Sequence, residues 1–241
     1  MTRTHLVLIP AYNPGRLLDE TVEGALAAWP DVWVVSDGST DGSERQLAPR
    51  PGLRVIARER NGGKGAAVET GALAAAEAGF THALVMDADA QHPAARIREF
   101  MEASARAPGS LICGLPQFGG DAPAVRIQGR KVSVALVRWE TRGRAAADPL
   151  FGFRVYPLRP LAGALASTRH ARRYDFDPEV AVRLAWAGVP AVNLPAACRY
   201  VPRSAGGISH FHYVRDNLRM AAMHTRLILS LLLRGSKGPP P

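Results

Sequence analysis

The first half of the chain alternates short apolar runs with segments of helical periodicity, and this alternation limits the folds that it can adopt. The predicted strands are five apolar runs, at 5–9, 32–35, 53–57, 82–86 and 110–113. The helical patterns between them lie at 17–26, 66–78 and 93–106. Strands that are joined through helices pair in parallel, because a parallel crossover needs a dozen or more residues. The sequence therefore predicts an α/β fold with a mainly parallel sheet flanked by helices.

The second half is less regular but shows the same two kinds of pattern. Its predicted elements are a basic amphipathic helix at 124–142, a strand at 151–156, a helix at 178–187, a strand at 189–194 and a long amphipathic helix at 210–234. Hydrophobic residues make up 47% of the 241 residues, which is enough for a packed core. Because no low-complexity linker interrupts the pattern, we predict one domain at 1–209, followed by the C-terminal helix and a disordered tail within 210–241.

Composition argues against several classes of protein. Cys113 and Cys198 lie far apart and outside any C-x-x-C pair, so neither a disulfide framework nor a zinc site is predicted. The apolar runs are shorter than the roughly 20 residues of a membrane span, and the first is too short for a signal peptide, so a cytoplasmic location is expected. The net charge of +9 suits a phosphorylated substrate, an anionic membrane surface or nucleic acid, although frequent use of arginine would explain it equally well.

Two acidic residues follow the fourth predicted strand directly, in the run D-A-D-A-Q-H-P. Asp87 and Asp89 point roughly the same way, because side chains alternate along an extended backbone. Their hard oxygen atoms suit Mg²⁺ or Mn²⁺, which in turn bridges phosphate oxygens, and Gln91 can add an amide oxygen. A polar loop that caps the helix opened by Pro93 is the alternative. In open parallel sheets, ligands collect at this end of the strands.

Three other segments of the first half carry polar groups at predicted turns. In P-A-Y-N, Tyr12 offers an aromatic edge and Asn13 an amide to a nucleobase. In D-G-S-T-D, Asp37 can accept a hydrogen bond from a base or a ribose hydroxyl. In N-G-G-K-G, Lys64 is flanked by three glycines and can place a cation near a diphosphate. Ordinary turns explain each segment when it is considered alone.

The order of the four segments resembles a known family. P-A-Y-N, D-G-S-T-D, N-G-G-K-G-A-A and D-A-D-A-Q-H-P, spread over 5–115, are similar to the motifs of family 2 glycosyltransferases, and most of all to dolichol- or polyprenyl-phosphate sugar synthases. The resemblance implies a GT-A (Rossmann-like) domain at 1–209, with a nucleotide-sugar half at 1–115 and an acceptor half at 116–209. It also implies metal-dependent, inverting transfer from a nucleoside-diphosphate sugar to a lipid-linked acceptor, either a polyprenyl phosphate or a lipid hydroxyl.

The resemblance also assigns roles to residues of the first half. The residues that would hold the nucleoside are Pro10, Ala11, Tyr12, Asn13 and Asp37. Those that would hold the Mg²⁺ or Mn²⁺ ion are Asp87 and Asp89, with Gln91 as a third ligand. Asp87 would also contact the donor diphosphate, and Lys64 would lie near the donor.

The run D-P-L-F-G-F-R at 148–154 resembles the acceptor-loop pattern D-x-x-S-G-F-R of these synthases. Asp148 is therefore a candidate catalytic residue, and Arg154 a candidate for binding the nucleotide sugar. Phe151 stands where a small residue is usual, which makes the shape of the acceptor pocket an open question. A loop that enters a core strand is the alternative.

The acidic run Y-D-F-D-P-E precedes the helix predicted at 178–187. In family members with hydroxyl acceptors, an acidic residue here supplies a general base, so Asp177 and Glu179 are candidates. A phosphate acceptor is already an anion and needs no such base. The alternative is that Asp177 caps the helix in front of Pro178.

Two basic segments close the chain. In the family, a loop corresponding to 199–211 often closes over the donor diphosphate, so Arg203 and His210 would neutralise charge on the leaving nucleotide. The C-terminal helix carries apolar residues near one face, with arginines beside them, which favours peripheral contact with an anionic membrane at its inner face. Packing of that face on the domain or on a partner chain is the alternative.

Other functions compete with the glycosyltransferase hypothesis. A nucleotidyltransferase would need a glycine-rich loop with arginine and lysine after the first strand, where this chain has P-A-Y-N-P-G. A nucleic-acid-binding module would interleave aromatic and basic residues, yet aromatic residues are 7% and scattered. We therefore expect no nucleic-acid partner. A catalytically silent binding protein and any oligomeric state stay open.

Overall fold

The computed structural model of the protein describes residues 4–118, 124–199 and 212–233. Within these ranges the strands are β1 (His5–Ala11), β2 (Val32–Asp37), β3 (Leu53–Arg58), β4 (His82–Val85), β5 (Leu111–Phe118), β6 (Arg154–Pro157) and β7 (Ala191–Cys198). The α-helices are α1 (Leu17–Ala28), α2 (Lys64–Glu77), α3 (Ile97–Arg106), α4 (Ala124–Glu140), α5 (Leu158–Ala166), α6 (Phe176–Trp186) and α7 (Tyr213–Leu233). The predictions for Arg203, His210 and the tail at 235–241 lie outside the described residues.

The described strands form one sheet in the order β3-β2-β1-β4-β6-β5-β7. β1 to β4 pair in parallel, as do β5 and β7, whereas β6 runs antiparallel to both β4 and β5. The predicted α/β fold with a mainly parallel sheet is therefore confirmed. The domain boundaries stay a prediction.

The sheet buries both of its faces under helices. Along β1, Leu6 and Leu8 face one apolar layer, which includes residues of α2, α5 and α6. Val7 and Ile9 face the other layer, which includes residues of α1 and α3. Because successive side chains of a strand point to opposite faces, a strand covered on both sides has to be apolar throughout. The continuous run at 6–9 meets this requirement.

The reversed direction of β6 brings the loop at 148–153 to the carboxyl edge of β4. Arg154, the first residue of β6, is the register partner of Val85, the last residue of β4. The chain just before β6 therefore lies where the chain just after β4 begins. Sequence segments that are more than sixty residues apart meet at this edge.

Several elements differ from the sequence-based expectations. Pro93 precedes a 3₁₀ turn, Ala94–Arg96, and α3 starts only at Ile97. The helix α5 follows β6 directly and is not among the elements predicted from the sequence. The expectation that Asp177 caps a helix before Pro178 is wrong: α6 begins at Phe176, so Asp177 lies in its first turn.

The predicted C-terminal helix is confirmed as α7. Its Met223 and Leu227 pack with Val137 of α4 and Trp186 of α6. The face predicted to be apolar is a different one, and its large described side chains are exposed, namely Val214, Leu218, Leu229 and Leu233. No helix in the described ranges has the length and apolar character needed to cross a membrane.

Two stacked histidines at the amino ends of β1 and β4 make stability depend on pH. His5 and His82 are register partners whose rings lie 4.4 Å apart and nearly parallel. Burial, together with the neighbouring His82, lowers the pKa of His5 from 6.5 to about 4. Between these values the unfolded chain binds a proton at His5 that the folded chain does not, so the free energy of unfolding falls as the pH falls from about 6.5 to about 4.

We predict that His5→Asn makes the loss of stability over this pH range shallower. Urea unfolding at a series of pH values gives the slope of the free energy of unfolding against pH. This slope reports the protons bound on unfolding, and their number should change by less than one. His170→Asn, which replaces an exposed histidine, is the control. An unchanged slope for His5→Asn would contradict the prediction.

Candidate functional site

The acidic pair lies just past the carboxyl end of β4. Asp87 and Asp89 are both half-buried, and Ala90 turns the backbone sharply with a φ of 56°. The backbone N–H of Gln91 donates to Asp89 Oδ1 at 3.1 Å. Burial and the negative charge of Asp87 raise the pKa of Asp89. The two carboxylates thus lie close enough to repel each other, and a cation placed between them would relieve that repulsion.

Lys64, the first residue of α2, bridges two carboxylates. Its Nζ lies 2.7 Å from Asp87 Oδ1 and 2.7 Å from Asp177 Oδ2. Burial alone would lower the pKa of Lys64, but Asp177 and Asp87 hold it above its usual value, so the ammonium stays charged. Burial raises the pKa of Asp87, while Lys64 and His92 bring it below its usual value overall. We call Lys64, Asp87 and Asp177 the ion cluster.

Gly152 brings the backbone of the loop before β6 against the ion cluster. A Cβ atom on Gly152 would lie 2.3 Å from Lys64 Nζ and 3.3 Å from Asp87 Oδ2, so any side chain here would displace the Lys64 ammonium or the loop. The second oxygen of Asp177, Oδ1, is buried and has no hydrogen-bond partner among the described residues. An unsatisfied buried carboxylate oxygen is costly. It therefore marks a place where a hydrogen-bond donor of a ligand can bind.

His92 supports the acidic pair, and the sequence analysis did not assign it a role. Its Nδ1 accepts a hydrogen bond from the Asp87 backbone N–H at 2.9 Å, and its ring packs edge-on against Phe151 at 4.8 Å. Burial lowers the pKa of His92 despite the nearby carboxylates. A histidine three residues after an acidic pair, next to a proline, was the available sequence signal.

The segments after β1 and β2 bind each other. Asn13 Oδ1 accepts from the backbone N–H groups of Thr40 and Asp41, at 2.7 and 3.3 Å. Pro10 and Ala11 are buried residues of β1 itself. Tyr12 is 37% exposed at the same edge. Of the residues predicted to hold the nucleoside in this segment, Tyr12 thus presents the most surface, while Asn13 shapes the loop.

Asp37 anchors the loop that leads to Lys64. Its carboxylate accepts from the backbone N–H groups of Gly62 and Gly63, at 3.0 and 2.6 Å, and it pairs with Arg58. The side chain is almost fully buried. In this structure, Asp37 therefore acts on the site through the position of Lys64.

Arg154 and Asp148 are engaged within the protein. Arg154 is fully buried and donates to the backbone carbonyls of Phe151, Asp148 and Asp177, at 2.9, 3.3 and 2.8 Å. Asp148 forms a two-point ion pair with Arg130, at 3.0 and 2.7 Å. The expected contact with the nucleotide sugar stays a prediction, while within the protein the guanidinium of Arg154 is enclosed by these three carbonyls. It positions the chain segments that carry Gly152 and Asp177.

Glu179 lies two residues further along α6, on a different side of the helix, and does not join the ion cluster. Its carboxylate is 1% exposed, accepts from the Thr168 hydroxyl at 2.9 Å and pairs with Arg183 and Arg226. A carboxylate with this many partners is poorly placed to accept a proton from an acceptor. Of the two candidate bases, the structure brings Asp177 to the site.

Tyr174 was also missed by the sequence analysis. It lies in the loop before α6, which Asp175 holds by accepting from the backbone N–H groups of Ala171 and Arg173. Burial and the negative charges of Asp216 and Asp87 raise the pKa of Tyr174 to about 12. The ring is 40% exposed, so Tyr174 offers a neutral hydroxyl and an aromatic face beside the acidic pair.

The fold and this edge site define a class of α/β enzyme, and the comparisons with known proteins identify the family. The sequence profile described as glycosyl transferase family 2 matches residues 6–161. The chain therefore belongs to glycosyl transferase family 2, is a glycosyltransferase, and has the GT-A-like fold that the motif order implied. A separate comparison with curated proteins found no match. The closer similarity to dolichol- or polyprenyl-phosphate sugar synthases stays a prediction.

Solved structures share the fold at low sequence identity. One is glucosyl-3-phosphoglycerate synthase from Mycobacterium tuberculosis with Mn²⁺, UDP and glucosyl-3-phosphoglycerate, which is 22% identical over 96% of this chain and 80% of that chain, with a TM-score of 0.60. Another is S. aureus TarS with UDP-GlcNAc, which is 15% identical over 94% of this chain and 66% of that chain, with a TM-score of 0.59. At these identities the likeness concerns the fold.

We predict that Gly152→Ala lowers glycosyl transfer about a hundredfold, because the added methyl group must displace Lys64 or the loop by an ångström or more. Initial rates of transfer measure the effect, and thermal unfolding checks that the fold is kept. Gly163→Ala on α5, where a Cβ meets no atom within 4 Å, is the control and should leave the rate unchanged. A fully active Gly152→Ala variant would mean that the loop is not part of the site.

Proposed function

We propose that the protein is a metal-dependent, inverting glycosyltransferase that moves a sugar from a nucleoside-diphosphate sugar to a lipid-linked acceptor. The observation that carries this proposal is the convergence of Asp87, Asp89, Lys64 and Asp177 at one edge of the sheet. Such a site combines carboxylates for a metal ion, a fixed ammonium for phosphate and a carboxylate for proton transfer. Membership of a glycosyltransferase family favours this function over the nucleotidyltransferase and nucleic-acid-binding alternatives.

Asp87 and Asp89 fit a Mg²⁺ or Mn²⁺ ion. The mutual repulsion that raises the pKa of Asp89 is what a divalent cation would remove. Among the described residues, no three acidic, histidine or cysteine side chains form a metal site. This agrees with Mg²⁺-type sites, which use one or two carboxylates and take their other ligands from phosphate and water. The backbone N–H of Gln91 is bound to Asp89. The role of its side-chain amide as a third metal ligand stays a prediction.

When bound, the metal ion would neutralise charge on the diphosphate as it leaves. Lys64 supplies a second positive charge at the same edge. Tyr12 presents an aromatic surface where the nucleoside is expected, and the loops anchored by Asn13 and Asp37 frame that position. The similar structures support this donor class, because they contain UDP, UDP-glucose or UDP-GlcNAc.

Asp177 is placed to act as the general base for a hydroxyl acceptor. Oδ2 is bound by Lys64, whereas the buried Oδ1 lacks a donor among the described residues and lies beside Gly152. As the acceptor oxygen forms its bond to the anomeric carbon, the bond to the diphosphate breaks and the acceptor proton passes to Asp177. Attack from the face opposite the diphosphate inverts the configuration at that carbon.

The acceptor is proposed to be lipid-linked, either a polyprenyl phosphate or a lipid hydroxyl, with the protein at the cytoplasmic face of a membrane. The basic net charge of +9 and the exposed apolar residues of α7 support this assignment. A water-soluble phosphorylated acceptor is a specific second candidate, because the similar M. tuberculosis structure contains glucosyl-3-phosphoglycerate.

We predict that the wild-type protein releases nucleotide from at least one of UDP-, GDP- and dTDP-sugars when Mn²⁺ or Mg²⁺ is present. Asp89→Asn should lower this release at least about a hundredfold, because the metal ion loses a charged ligand. Asp19→Asn, on the exposed side of α1, is the control. Failure to bind or turn over any donor would refute the proposed activity, and full turnover by Asp89→Asn would refute the metal site.

We predict that Asp177→Asn lowers the kcat for a hydroxyl acceptor by about 10²–10⁴ while the affinity for the donor changes little. Comparing lipid hydroxyl and polyprenyl phosphate acceptors separates the two classes, because a phosphate acceptor needs no base and should lose far less. Glu179 is unsuitable as the control, since its ion pairs stabilise the fold. An Asp177→Asn variant that transfers to a hydroxyl at the wild-type rate would exclude Asp177 as the base.

A further inference from the structure

The helix α7 has a second apolar face, opposite the one that packs on the domain. Four of its residues, Val214, Leu218, Leu229 and Leu232, are between 52% and 73% exposed. At 100° per residue they fall on one side of the helix, where Ala221, Ala222 and Thr225 fill the space between them. Met223 and Leu227 point to the other side, into the core. The exposed apolar face has no charged residue and runs most of the helix, roughly 30 Å.

Along α7 and its neighbour α4, the charged side chains that reach solvent are all of one sign. In the parts of α4 and α7 whose side chains the structure describes, the charged residues that reach solvent are Arg130, Lys131, Arg138, Arg215, Arg219 and Arg226. The acidic residues of the same segments are Glu140 and Asp216. Both are buried, Glu140 against His224 and Asp216 against Arg215 and Arg219. The surface is thus apolar and basic, with no acidic group exposed.

The middle of α7 lies beside the start of α6. Arg226 contacts Glu179 at 3.3 Å and Asp175 at 4.0 Å, so α7 packs against the start of α6, where Asp177 is located. The pKa of Tyr174 is raised by the charge of Asp216, in the first turn of α7, and by the charges of the acidic pair. The helix that carries the exposed apolar face is therefore in contact with the helix that carries Asp177.

We propose that the exposed face of α7, with its basic border, is a docking surface for an anionic lipid bilayer, on which the helix lies in the plane of the interface. The apolar face would enter the boundary between headgroups and acyl chains, and the arginines would contact anionic headgroups. This inference deepens the proposed function, because it places the site next to the membrane that would contain a lipid-linked acceptor.

The charge distribution favours a bilayer over a second copy of the chain. A symmetric pair of α7 helices would bring the basic borders of two +9 chains together, without exposed acids on α4 or α7 to pair with them. An anionic surface complements the same charges.

The test is sedimentation of the full chain with vesicles of phosphatidylcholine alone or mixed with phosphatidylglycerol. We expect the chain to bind the mixed vesicles. Binding should weaken when phosphatidylglycerol is left out and when salt is added. The double variant Leu218→Glu/Leu229→Glu should bind the mixed vesicles at least about tenfold more weakly, because two apolar anchors become acidic. Leu73→Glu, which replaces a leucine that is 52% exposed on α2, is the matched control and should bind like the wild type.

Light scattering reports the oligomeric state and nucleotide release reports donor turnover, so the possible outcomes can be distinguished. No binding to the mixed vesicles, equal binding by the double variant, or a wild-type dimer that the double variant dissociates would each overturn the inference. Because nucleotide release needs no lipid, a protein that releases nucleotide without binding vesicles refutes the docking surface alone. A protein that binds vesicles through Leu218 and Leu229 but turns over no donor refutes the proposed function alone.

Discussion

The structure depends on one arrangement of charges, in which the Lys64 ammonium sits between the carboxylates of Asp87 and Asp177. Charges that are removed from water are tolerated only when they are paired, and removing one partner of a buried pair typically costs about 3–5 kcal/mol. Each member comes from a different element: the start of α2, the end of β4 and the first turn of α6. The ion cluster therefore fixes these three elements relative to one another as well as forming the site. Asp37 positions the loop before Lys64, and Arg154 binds the Asp177 carbonyl, so both serve the same arrangement from outside it.

The sequence was sufficient to predict the strands and helices of the first half of the fold, because each signal there is local. Apolar runs, helical periods and turn residues lie next to one another along the chain, and the acidic pair follows the strand that carries it. The antiparallel β6 could not be recognised in this way, since its direction depends on pairing between Arg154 and Val85, far apart in sequence. The same limit applies to the roles of Arg154 and Glu179. Both are candidate site residues by motif position, and their partners, three carbonyls for Arg154 and two arginines for Glu179, could not be predicted from the sequence.

The two halves of the site are therefore built differently. In the first half of the chain, the polar groups follow parallel strands, so the topology of the sheet gathers them at one edge without further constraint. In the second half of the chain, Gly152 and Asp177 reach the same edge only because β6 is reversed and α6 begins beside α2. Glycine at 152 and the hydrogen bond from Gly65 to the Arg172 carbonyl allow this close approach. Changes in the second half should thus alter the site through backbone position more often than through lost ligands.

Phe151 shows how such a change is accommodated. The motif has a small residue there, and a phenylalanine pointing into the cleft would narrow the acceptor pocket. Instead the ring is 3% exposed and packs in the core, where a Cβ on Gly114 of β5 would lie only 2.7 Å from it. The absence of a side chain on Gly114 provides the space, and the ring in turn supports His92, which binds the Asp87 backbone. The departure from the motif therefore places the ring in the core, where it supports the loop that carries Asp87 from behind.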